Sequence, residues 1–163
     1  MEYVDKMGGE GWNGLSFNLL MADREGDIAY MMLAPVPIRK DKTPYSGCRV
    51  LDGRKSDSDW EVGRNVPLTD LPRSYNPEKG YIVTANNKVT SDNAKFDYGA
   101  TMVSTPRSIR ITEMIKEQIK NEEKFIVEDM TEIQQDLTDV FARDSVPLMI
   151  KIASHAKSAL LDE

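Results

Sequence analysis

Two apolar runs separated by a polar turn give the clearest pattern in this chain. Phe17–Ala22 and residues 27–33 are apolar almost throughout, and Asp23-Arg24-Glu25-Gly26 between them supplies a turn whose glycine is free to take a positive φ. The spacing predicts a β-hairpin. Runs this continuously apolar predict strands covered on both faces, as in a layered α/β domain of the α+β type, with strands first and two or three helices after them. Ahead of the hairpin, Gly8, Gly9, Gly11 and Gly14 around Trp12 read as a short helical start followed by a loop. From residue 34 to 76, Pro35, Pro37, Pro44, Pro67 and Pro72, with Gly47, Gly53 and Gly63 between them, exclude a long helix. That region is expected to be a long ordered loop packed through Trp60, Val62 and Leu68, with residues 52–59 as a solvated surface turn.

The next run, Gly80-Tyr81-Ile82-Val83-Thr84-Ala85-Asn86-Asn87, predicts a short strand ending in a pair of amides. Two readings of that pair stand side by side. Asn tolerates left-handed backbone and hydrogen-bonds its own chain, so the pair suits a turn. A carboxamide held at a rigid strand end is also a neutral donor that meets an oxyanion without titrating. Helical periodicity then begins near Ser108, with Ile111, Met114, Ile115 and Ile119 on one face. A second helix is expected to carry Met130, Ile133, Leu137, Val140 and Phe141 inward, with Glu128 and Asp129 in its first turn where the helix dipole favours acids. A third is expected to start at Pro147 and carry Leu148, Ile152 and Leu160.

Composition narrows the chemistry. The 163 residues fit about one domain. With 27 acidic against 21 basic residues the net charge is −6, which argues against nucleic acid or an anionic membrane surface as the main partner. No apolar run is long enough to span a bilayer, and the first six residues lack the apolar core of a signal peptide, so the compartment stays open. Cys48 is alone, so neither an internal disulfide nor a cysteine zinc cluster is available. His155 is the one histidine, on a late, charged helix, and without companions a Ser-His-Asp triad or histidine metal site is not expected. Phosphate-loop motifs are absent. Asp23, Asp27, Asp92 and Asp97 lie near strand ends or turns, where acids either form turns or ligate a hard cation such as calcium.

Several stretches recur in one order: residues 18–30, then Pro37-Ile38-Arg39, Trp60-Glu61-Val62-Gly63, Val66-Pro67, Leu71-Pro72, Asn76-Pro77, Gly80-Tyr81-Ile82, Ala85-Asn86-Asn87 and Arg110-Ile111-Thr112-Glu113. Together they resemble an internal segment of the β-chain of penicillin acylases, the penicillin amidase family of N-terminal-nucleophile hydrolases. The resemblance covers roughly residues 10 to 155. It implies a four-layer αββα sandwich and hydrolysis of non-peptide amides such as penicillins, glutaryl cephalosporins or acyl-homoserine lactones. It also implies an N-terminal Ser whose own amine serves as the base, which removes the need for a histidine. By position, Asn86 matches the oxyanion-hole amide, Arg110 the arginine that orders the groups around the nucleophile, and Ser16 a residue whose backbone N–H completes the hole. No cofactor is implied for catalysis. Asp23 and Asp97 fall near positions that supply structural calcium ligands, while Leu20 stands where another acid is expected.

The resemblance departs at both ends. The family pattern places the nucleophile several dozen residues upstream of Met1, and family β-chains continue well past Glu163. Ser16 and Ser46 are internal and match other parts of the pattern. The expectation is therefore a single-domain segment, residues 1–163, that acts on a small amide substrate together with a partner chain carrying the nucleophile. The alternative is a non-catalytic structural subunit or decayed relative that keeps the fold.

Overall fold

A computed structural model describes residues 15–42, 46–91, 93–98, 105–121 and 124–161. The expected helical start and glycine loop of residues 1–14, together with Pro44 and Asp92, lie outside them. The contacts divide into two compact units, one formed by Met1–Thr84 with Lys88–Val103, the other by Ala85–Asn87 with Ser104–Glu163. No helix among the described residues is long and apolar enough to cross a membrane.

In the first unit the hairpin forms as the pattern predicts. Strands β1 (Phe17–Ala22) and β2 (Ile28–Leu33) pair antiparallel from Phe17↔Leu33 to Ala22↔Ile28. Asp23 closes the turn: its Oδ1 accepts from the N–H of Glu25 at 3.1 Å and of Asp27 at 2.9 Å, and Gly26 takes a φ of 92°. On the far side of β2 runs a short β5 (Arg73–Tyr75), giving the antiparallel order β1-β2-β5. Asn76, which follows β5, accepts from the N–H of Ile28 at 2.8 Å and donates to Asp27 at 2.8 Å, so the end of β5 is tied to the hairpin turn. The expectation of strands covered on both faces holds for β2, whose residues 29–33 are all buried and whose Met31 is the most enclosed side chain of this core. It fails for β1. At the edge of the sheet among the described residues, β1 has Leu19 and Met21 packed against the Met31–Leu33 core, while Phe17 and Leu20 stay half exposed.

The proline-rich stretch is more regular than expected. It contains β3 (Pro37–Arg39) and β4 (Trp60–Asn65), paired antiparallel with a bulge, and single 3-10 turns at Ser46–Cys48, Ser56–Ser58 and Leu68–Asp70. The three residues of β3 leave no readable alternation, and β4 is interrupted by Gly63 at a positive φ, which is why the pattern reads as loop. Residues 52–59 form the expected surface turn.

The second unit holds three helices among the described residues. Helix α1 (Pro106–Lys120) starts as its sequence dictates: Thr105 is the N-cap, its hydroxyl accepting from the N–H of Ser108, and Pro106 takes the first turn, where its missing N–H costs nothing. Helix α2 (Val127–Gln135) ends earlier than expected and α3 (Val140–Leu161) begins earlier, so Leu137, Val140 and Phe141 do not lie on the second helix. The cause is a pair of aspartates. Asp136 accepts from both the N–H and the hydroxyl of Thr138, a local turn that competes with helix, and Asp139 then caps α3 by accepting from the N–H of Ala142 at 3.0 Å. Pro147 consequently lies inside α3 rather than at its start, where its ring nitrogen cannot donate to the carbonyl of Arg143.

Asp139→Ala is expected to destabilise the protein by about 1 kcal/mol in urea denaturation, the usual loss for a helix cap. A helix running unbroken through residues 127–141 would instead leave stability unchanged or raised.

Candidate functional site

The run toward Asn86 does not form the predicted strand. Tyr81, Ile82, Val83 and Thr84 are half buried with no ladder partner among the described residues, and positive φ at Gly80 (76°) and Asn86 (63°) bends the chain at both ends. Ala85 is buried where the bend begins. Asn86 therefore takes the left-handed conformation that suits a turn, as the first of the two readings of the amide pair expects. The side chains of the pair then diverge in role. Asn87 Oδ1 accepts from the N–H of Ala85 at 2.8 Å, a local bond that stabilises the bend. Asn86 is exposed, and its Oδ1 accepts from Arg107 Nη2 at 2.7 Å.

The first turn of α1 holds this bend. Thr105 Oγ1 donates to the carbonyl of Ala85 at 2.8 Å while accepting from Ser108, and Arg107 Nη2 reaches the same carbonyl at 3.4 Å. Ser108, the buried polar residue of this turn, donates its hydroxyl to the carbonyl of Thr105 at 2.9 Å. Bend and helix start thus form one hydrogen-bonded unit. Because a guanidinium has donors only, the atom of Asn86 that meets it must be the amide oxygen. The Nδ2 group, with two N–H donors, has no acceptor among the described residues. Chemically, the arrangement offers a neutral hydrogen-bond donor on a braced backbone.

One helical turn along, Arg110 faces Asp136. Its Nε and Nη2 donate to the two carboxylate oxygens at 3.0 and 2.8 Å, a bidentate pair, and its Nη1 lies 3.7 Å from Glu113. Glu113 in turn receives both terminal nitrogens of Arg143, at 2.8 and 3.1 Å. These contacts tie α1 to the 136–139 turn and to α3. Arg110's bond holds Asp136 down to about 2, with the Thr138 donors helping, and the bonds from Arg143 hold Glu113 below the usual carboxylate range. Arg143 itself is pushed up by Glu113 and then Asp144. Among the described residues, the arginine that touches Asn86 is Arg107, not Arg110. Sequence reading passed over Arg107, although Thr105-Pro106 immediately ahead of it spells a helix start whose first turn it occupies.

The other expected residues lie in the first unit. Ser16 is exposed just ahead of β1. Asp23 commits one carboxylate oxygen to the hairpin turn, and Asp97 is exposed. Among the described residues no group of three or more His, Cys, Asp or Glu side chains gathers. His155 is exposed on α3, its Nδ1 2.7 Å from the carbonyl of Lys151, the surface position its sequence context suggests.

Comparison with known proteins bears on the whole chain. The family model described as penicillin amidase matches residues 8–163. The penicillin acylase 2 proenzyme of Pseudomonas sp. (strain SE83) is 31% identical over 126 residues, which are 77% of this chain and 15% of that protein. Among solved structures, a thermostable penicillin G acylase from Alcaligenes faecalis aligns at 28% identity with a TM-score of 0.57, over 86% of this chain and 24% of that one. The chain thus spans a small part of the length of the relatives it matches.

The Arg110–Asp136 pair sets an acid limit. A carboxylate whose folded pKa is about 2 against an ordinary 3.8 contributes stability that is fully present above the ordinary value and is lost as pH falls through about 2. Stability followed by circular dichroism is expected to fall between about pH 4 and 2, and Asp136→Asn is expected to flatten that part of the profile while lowering stability at neutral pH.

Proposed function

The chain belongs to the penicillin amidase family, and from that premise we propose that it forms the part of an amidohydrolase that presents the Asn86 carboxamide to the oxyanion of acyl transfer. The observation that carries this reading is the braced, donor-outward amide of Asn86 at the position the family resemblance assigns to the oxyanion hole. The substrate class is a non-peptide amide, and the fold in which the segment sits is the four-layer αββα sandwich.

The chemistry asked of this chain is electrostatic. An N-terminal Ser from a partner chain or another segment of the enzyme attacks the amide carbonyl, its own α-amine taking the proton, and the carbonyl oxygen gains the negative charge. Asn86 Nδ2 donates to that oxygen; a second donor role, for the backbone N–H of Ser16, rests on the family resemblance alone. A donor matched to the developing charge stabilises the transition state more than the ground state, which is where it lowers the barrier. Because a carboxamide does not ionise, its contribution is constant with pH. Arg110 acts through Asp136, fixing α1 and with it the turn that braces the bend. Asp23 or Asp97 would hold a structural calcium only with further oxygen ligands, and no step of the reaction runs through it.

In the assembled enzyme, Asn86→Ala is expected to lower kcat for a chromogenic N-acyl anilide by about 10²–10³-fold, the usual loss of one oxyanion donor. Activity equal to the parent enzyme would remove Asn86 from the reaction and favour a structural subunit.

A further inference from the structure

We infer that Arg107 is the positioning residue that fixes which end of the Asn86 amide meets the oxyanion, an inference that rests on the reading of Asn86 as the donor. The terminal torsion of an asparagine is broad and roughly two-fold, so an unrestrained carboxamide presents oxygen or nitrogen to its surroundings with little preference. Presenting oxygen to a developing negative charge is repulsive. Arg107 removes the ambiguity, because its Nη2 stands 2.7 Å from the amide and has only hydrogens to offer. The oxygen is held at the guanidinium, and Nδ2 is left on the opposite side.

Three further features fit this role. The same Nη2 reaches the carbonyl of Ala85 at 3.4 Å, so side chain and backbone of the bend are referenced to one group. Arg107 lies in the first turn of α1, whose cap Thr105 is itself bonded to Ala85, so the guanidinium starts from a fixed backbone. The bond is charge-assisted at the amide oxygen, and polarisation through the amide makes its N–H groups better donors. Arg110 carries out a different task, with its fork on Asp136. The two arginines, three residues apart on α1, divide orientation of the donor from fastening of the helix.

The test is a mutant cycle in the assembled enzyme, with kcat and KM measured on a chromogenic N-acyl anilide and the thermal midpoint recorded for each protein. Arg107→Met is expected to lower kcat by about 10- to 100-fold, the range for loss of a charge-assisted hydrogen bond, with KM and the thermal midpoint little changed. Arg107→Lys, which also offers only donors, is expected to recover most of that loss. In an Asn86→Ala background, Arg107→Met is expected to change kcat by less than about threefold, because no amide remains to orient. Additive losses in the double mutant would overturn the inference, as would a loss that Lys does not recover and that follows a lowered thermal midpoint. An unchanged kcat in Arg107→Met beside a large loss in Asn86→Ala would overturn it and leave the donor reading standing. An unchanged kcat in Asn86→Ala would remove the donor reading itself, and the inference with it.

Discussion

A single hydroxyl joins the two halves of the candidate site. Thr105 Oγ1 donates to the carbonyl of Ala85 and accepts from the N–H of Ser108, so the bond that caps α1 and the bond that anchors the bend before Asn86 share one oxygen. Without the first, α1 starts with an unsatisfied donor. Without the second, the left-handed backbone at Asn86 is held on fewer points, and such a conformation persists only where its surroundings fix it. Arg107 can reach the amide because both features are in place. Position of the donor is thus a consequence of how the helix begins.

The rest of the second unit keeps that helix in place with charge. Arg110 and Arg143 meet Asp136 and Glu113, linking α1 to the turn between α2 and α3 and to α3 itself. Exposed ion pairs contribute little singly, and geometry is what separates these from ordinary surface pairs: both arginines engage a carboxylate through two nitrogens. In the proposed reading their effect on function is indirect, through the backbone that carries Thr105 and Arg107. In the proposed reaction the Asn86 carboxamide is a neutral donor independent of pH, and the one histidine of the sequence lies on the surface of α3.

What could be read from sequence follows from how local each signal is. The hairpin was legible because continuous apolar runs flank a turn with an aspartate and a glycine at positions that need them, and the structure uses both, Asp23 for its side chain and Gly26 for its φ. The start of α1 was legible to within two residues. The junction of α2 and α3 was not, because Leu137, Val140 and Phe141 continue a helical spacing that the side chains of Asp136 and Asp139 interrupt. Apolar periodicity outweighed capping in the reading, and capping won in the molecule. The strand before Asn86 failed for a different reason: its composition suits a strand, but among the described residues it has no ladder partner, and positive φ at Gly80 and Asn86 bends the chain at both ends. Asn86 was singled out as the proposed donor only through its place in a family order. Arg107 was not, since nothing local says which arginine of a helix turn folds back onto a preceding bend.

The chain spans 15% of the length of one curated relative and 24% of one solved relative, and on the proposed reading the Asn86 donor is one component of a larger active site. The most direct test is a crystal structure of the assembled enzyme with a boronic acid that forms a tetrahedral adduct at the nucleophile. The account predicts an adduct oxygen about 2.7–3.1 Å from Asn86 Nδ2, with Oδ1 still on Arg107. An adduct oxygen more than about 4 Å from Nδ2, beyond hydrogen-bond reach, or facing the amide oxygen, would contradict it.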